Sequence, residues 1–259
     1  MLIGQDFLLL ELQKTGSSHI RKLLAETPSL SVKAEGMHNT FESWQSHNPG
    51  ANPAVIAASI RNPWDWYVSL WAYGCQGKGG LYRHLASTAP RDILRKPWLP
   101  PQKRRKWRKV YAPAALAEQF RQWLQYLLKD YSHEVPEGYA AWPLRDKVGF
   151  MTYRLQQMYS ADFSLYQNHW PDRKALATFA ERALQPNYWI RNEALSDDTA
   201  HLARRLGARE DHIEVIWQLN AQRTNASERT DYRAYYDSAC RQMVAERESW
   251  IIEKFNYAF

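Results

Sequence analysis

Cysteine is nearly absent. Cys75 and Cys240 stand far apart, too few for a disulfide framework and in no metal-binding spacing. They read as free thiols of a reducing compartment. Histidine is scattered, with neither an H-E-x-x-H nor a Cys/His cluster, so no metal site is expected. No apolar run reaches the roughly 20 residues that span a bilayer, and the stretch 7–12 is too short for a signal-peptide core. A cytoplasmic chain with no membrane span is therefore expected. Internal repeats and low-complexity tracts are also lacking.

What is present suits an ordinary globular protein. The chain has 259 residues, 45% hydrophobic and 24% charged, enough for a substantial core. Twelve Trp and fifteen Tyr are more than usual, and most are expected in that core. A formal charge of +7 favours a polyanionic partner: nucleotide, acidic saccharide, nucleic acid or anionic membrane surface. Charge alone does not choose among them.

The most informative stretch runs from Asp6 to Leu24, DFLLLELQKTGSSHIRKLL. An apolar run ends at Gln13-Lys14-Thr15-Gly16-Ser17-Ser18, and a helical pattern (Ile20, Leu23, Leu24) begins at once. Strand, polar turn and helix in that order leave free backbone N–H groups at a helix N-terminus, where the dipole also favours negative charge. The order K-T-G-S-S is not the kinase pattern G-x-x-x-x-G-K-[ST]. A second apolar run, Val55 to Ile60, ends in Arg61. Asn62-Pro63 follows as an N-cap with proline at the first helical position, Asp65 sits in the first turn, and Ser69 lies one turn further on.

Together these stretches resemble the sulfotransferases that use 3′-phosphoadenosine 5′-phosphosulfate. In that family a P-K-[TS]-G-[TS]-[TS] loop holds the 5′-phosphosulfate and R-[ND]-P-x-[DE]-x-x-x-S holds the 3′-phosphate. Gln13 departs from the family proline, which removes no ligand group. The resemblance implies that Lys14, Thr15, Gly16, Ser17 and Ser18 grip the 5′ end while Arg61 and Ser69 grip the 3′-phosphate. Fainter likenesses at Gly149–Thr152, Trp189–Leu195 and the tail point to bacterial relatives of the Golgi carbohydrate branch. Asn225, Ser227 and Arg229 stand where the family often completes the nucleotide pocket. The expected fold is α/β: a P-loop-like three-layer α/β/α domain over residues 1–259, with a mainly parallel central sheet and helical additions.

The implied reaction moves a sulfuryl group in line to a hydroxyl acceptor, a carbohydrate or glycolipid, and leaves adenosine 3′,5′-bisphosphate. It needs a general base. The loop after a short second strand at Leu30–Ala34 offers His38 and Glu35; His38 is favoured because a neutral imidazole accepts a proton near pH 7. Residues 76–113 read as a long basic surface excursion. Its Lys103–Lys109 run, with Arg105 and Trp107, is a candidate for acceptor contacts. Two rival readings are a P-loop small-molecule kinase and a non-catalytic polyanion or nucleic-acid binder. Neither accounts for both phosphate motifs, so nucleic acid is not the expected partner.

Overall fold

The computed structural model describes residues 1–36, 38–94, 101–112, 114–221 and 231–259. In chain order its elements are β1 (Leu2–Gly4), β2 (Phe7–Leu10), α1 (Ser17–Ala25), β3 (Lys33–Ala34), α2 (Phe41–His47), β4 (Val55–Ile60) and α3 (Pro63–Cys75). Then come α4 (Gly80–Leu85), α5 (Pro90–Leu94), α6 (Pro101–Val110), α7 (Ala117–Gln125), α8 (Phe150–Tyr159), α9 (Phe163–Tyr166) and α10 (Arg173–Ala183). The chain closes with β5 (Tyr188–Arg191), α11 (Leu195–Arg205), α12 (Glu210–Ala221), α13 (Ser238–Arg247) and α14 (Ser249–Phe255). These elements form two compact units, one holding Met1–Asn62, Arg154–Tyr166 and the described part of Leu176–Ser227, the other the remainder.

The first unit is α/β. Its five strands run in the order β3-β1-β2-β4-β5. The sheet is mixed: β2, β4 and β5 are parallel, whereas β1 pairs antiparallel with both β2 and β3. The parallel part is as expected; the antiparallel edge is a correction. It arises because Gly4 pairs with Phe7 across a two-residue turn, folding the first residues back as a hairpin. The strand expected at Leu30–Ala34 is β3 and covers only Lys33–Ala34.

Every residue of β2 and β4 is buried, as strands covered on both faces must be. One face packs Phe7, Leu9, Val55 and Ala57 against Ile20, Leu23 and Leu24 of α1, Leu202 of α11 and Ile213 of α12. That pattern suits a three-layer arrangement. It also fixes where the β2–α1 turn emerges, beyond the strand's carboxyl end, where sheets of this kind hold their ligands.

The second unit is helical with an aromatic core. Trp66, Tyr67, Trp71, Trp107, Phe120, Trp123, Tyr139 and Trp142 are nearly or wholly buried, and ring pairs such as Trp71–Phe120 meet edge-on at 5.5 Å. The Trp and Tyr excess is thereby explained. The stretch 76–113 is not all surface: Leu81, Leu85, Trp107 and Val110 are buried. The C-terminal segment forms two helices, α13 and α14. It breaks at Glu248, which ends α13 and precedes α14. Among the described residues, no helix is long and apolar enough to cross a membrane.

Candidate anion-binding site

The site lies in the first unit, just past β2. Glu11 and Leu12 continue the strand direction as buried residues. The chain then turns sharply, with Lys14 and Gly16 both left-handed (φ 67° and 84°). Gly16 is the residue that needs no side chain: a Cβ there would overlap Leu195 Cδ1 and lie 2.7 Å from Asn192 Nδ2. It is also the N-cap of α1, and no side-chain cap bond is formed there. Ser17 is buried and Ser18 exposed. A glycine N-cap gives the first-turn N–H groups of α1 no side-chain acceptor of its own; of these groups, His19 N donates to the Gly16 carbonyl at 2.9 Å.

The two motifs meet here. Arg61 Nη1 donates to the Lys14 carbonyl at 3.0 Å, tying the end of β4 to the left-handed residue of the turn. Thr15 is wholly buried. Its hydroxyl lies 2.6 Å from both the Leu12 carbonyl and Ser59 Oγ, so it joins β2 to β4. Its hydroxyl is thus engaged between the strands. Tyr159 makes a parallel stitch, accepting from Leu12 N (2.7 Å) and donating to the Ser59 carbonyl (2.8 Å). The turn is thus rigid before any ligand arrives.

His38 completes the cluster. Its Nδ1 lies 2.9 Å from the Glu11 carbonyl. A carbonyl only accepts, so Nδ1 carries the proton and Nε2 holds the lone pair. Burial pushes the imidazole pKa down, with the Arg154 charge adding to the effect against the Glu11 contacts. The ring is therefore neutral at pH 7. His38 is held at φ 61° beside Gly36, whose carbonyl accepts from Arg21 Nη2 at 3.0 Å. Arg21 in turn forks onto the buried Glu11 carboxylate, with Nε at 3.1 Å and Nη2 in close contact.

Lys14, Thr15, Gly16, Ser17, Ser18, Arg61 and His38 therefore gather at the end of β2. Glu35 is exposed and pairs with Lys33 at 3.7 Å. Ser69 is buried on α3 in the second unit. Arg105 is exposed on α6, and Trp107 is fully buried with its Nε1 donating to Glu134 at 2.8 Å; it offers no ring face to a sugar. Asn225, Ser227 and Arg229 lie outside the described residues.

Sequence reasoning gave Glu193, within the stretch 189–195, a structural role without its partner: its Oε1 accepts from Asn62 N at 2.7 Å and so fixes the exit from β4. It missed Asn192 beside Gly16, and the Glu11–Arg21 pair that braces the His38 loop. A buried acid ending an apolar strand was the available signal for that pair. Among the described residues, no three His, Cys, Asp or Glu side chains could share a metal ion. Comparison with protein-family models, with curated proteins and with solved structures returns no match.

Proposed function

We propose that the chain is a sulfotransferase that moves a sulfuryl group from 3′-phosphoadenosine 5′-phosphosulfate to a hydroxyl acceptor, a carbohydrate or glycolipid. The observation that carries this reading is the rigid turn of Lys14 to Ser18, with no side-chain cap on α1 and with Arg61 bound to its backbone. Its chemistry fits the donor: first-turn N–H groups and the Ser18 hydroxyl for sulfate oxygens, and the Lys14 ammonium for the 5′-phosphate. The donor supplies the activated sulfuryl group. Lys14 stabilises the charge that grows on the leaving phosphate, an interaction stronger in the transition state than before it.

His38 is the better candidate base. Its Nε2 is unprotonated and makes no hydrogen bond with a described residue, whereas Glu35 is exposed and engaged with Lys33. The assignment of Arg61 and Ser69 to the 3′-phosphate rests on the sequence motif, as does that of Asn225 and Ser227.

Thermal unfolding with adenosine 3′,5′-bisphosphate, ADP and ATP, with and without Mg²⁺, tests the reading. The bisphosphate alone should stabilise the chain, by about 2.7 kcal/mol at a hundredfold excess over its Kd, and Lys14→Met should remove most of that gain. Stabilisation by Mg·ATP only would make the protein a kinase. No shift with any of these nucleotides would sink the proposal.

A further inference from the structure

The basic run of α6 is not one undifferentiated face. Trp107 and Val110 are buried. Lys103 and Lys106 turn to Glu134, at 3.6 and 2.8 Å, and Lys106 also sits over the Tyr131 ring. Arg104 is 5% exposed and donates to the backbone, from Nη1 to the Ser87 carbonyl at 2.7 Å and from Nη2 to the Asp92 carbonyl at 3.3 Å. Ser87 Oγ in turn donates to Asp92 Oδ2 at 2.7 Å. Arg105, Arg108 and Lys109 remain, all exposed and, among the described residues, without an ion pair. Their i, i+3, i+4 spacing puts them on one side of the helix.

Arg104 borders that side, one turn before Arg108. Through it α6 is fastened to α5, whose Arg91, Ile93 and Leu94 are exposed. Leu94 is 78% exposed, the highest of any large hydrophobic among the described residues, and Ile93 is 43% exposed. Two exposed aliphatic side chains beside Arg91, on a helix fastened to the one that carries Arg105, Arg108 and Lys109, are a costly arrangement for a free surface.

We propose that α5 and α6 form a docking surface for an anionic lipid bilayer. The cations would meet lipid phosphates while Ile93 and Leu94 enter the boundary below the headgroups, the division of labour of an interfacial helix. A nucleic acid would use the cations but gain nothing from two aliphatic side chains, since bases are held by aromatic stacking. The surface would act whatever reaction the first unit carries out.

The test is co-sedimentation of the full chain with vesicles of phosphatidylcholine and phosphatidylglycerol in equal parts, against phosphatidylcholine alone. Binding should require the anionic lipid and fall away at about 0.5 M salt, where screening shortens the reach of each charge. Each cation should contribute about fivefold, so Arg105→Gln, Arg108→Gln and Lys109→Gln together should weaken partitioning about a hundredfold. Ile93→Ser with Leu94→Ser should weaken it about tenfold. All five positions are exposed, and unchanged thermal unfolding would show that both variants are folded. Failure to sediment with anionic vesicles would overturn the proposal, as would an aliphatic variant that binds like the parent. So would tighter binding to a single-stranded oligonucleotide that is indifferent to the aliphatic change, which would assign the cations to nucleic acid.

Discussion

Two helices in this chain begin with backbone donors looking for an anion, and they are treated oppositely. At α8 the protein supplies its own. Glu248 is wholly buried. Its Oε1 accepts from Met151 N at 3.0 Å and from the Tyr67 hydroxyl, and its Oε2 accepts from Thr152 N at 2.9 Å and Thr152 Oγ1 at 2.6 Å. A Cβ on Gly149 would overlap the carboxylate. At α1 there is no side-chain cap, the preceding residue is a left-handed glycine, and Lys14 and Arg61 flank the turn. The same donors are thus sealed by a carboxylate in one unit and bordered by cations in the other. A sealed N-terminus holds the fold together; an unsealed one beside cations suits an anion from outside.

The largest effect should come from unsealing the first of these. Glu248→Ala would strand the donors of Tyr67, Met151 and Thr152 in an apolar interior, costing about 4 kcal/mol in urea unfolding. Lys14→Met, at the other helix, should stay within about 0.5 kcal/mol. Similar losses from both would break the distinction between a structural and a functional N-terminus. Gly16→Ala sharpens it from the other side. The new methyl would collide with Leu195 in a backbone conformation that L-residues resist, costing about 2 kcal/mol and abolishing any bisphosphate-induced shift. A stable variant that still bound the bisphosphate would mean the turn's shape is not what holds the ligand.

The α1 site was largely legible because its signals are local. A strand, a K-T-G-S-S turn and a helix lie within consecutive residues, and Arg61 ends the next buried strand. What escaped depended on distant pairings. Nothing near Thr15 announces that Ser59 will engage its hydroxyl, and the glutamate that fixes the exit from β4 arrives only at position 193. The hairpin of β1 with β2 hid because three residues are too short for a periodic pattern. Trp107 stood among the candidates for acceptor contacts because charges surround it in sequence; in the helix its indole is buried and shares Glu134 with Lys106.

The smallest effect is a matter of pH, and it again sets the two ends against each other. Burial pushes both nearby titratable groups toward their neutral forms: the His38 pKa goes down and the Glu248 pKa goes up. The consequences for stability have opposite signs. Below the ordinary imidazole value of 6.5, the unfolded chain takes a proton that folded His38 refuses, so this contribution is lost as pH falls toward the depressed pKa. Above the ordinary carboxylate value of 4.5, folded Glu248 keeps a proton that the unfolded chain releases, so that contribution is lost as pH rises through the raised pKa. His38→Asn should therefore flatten the acid-side decline below about pH 6.5, while Glu248→Gln should leave that decline in place and remove the opposite slope. Asparagine tolerates the left-handed backbone at position 38, so the comparison is of charge and not of fold. The ring resonances of His38 give the sharper reading by NMR. A midpoint below 6.5, with Nδ1 protonated in the neutral form, fits a base whose Nε2 is ready at neutral pH. A midpoint at or above 6.5 would mean that the imidazole is not held neutral by burial, and His38 would lose its claim to the proton.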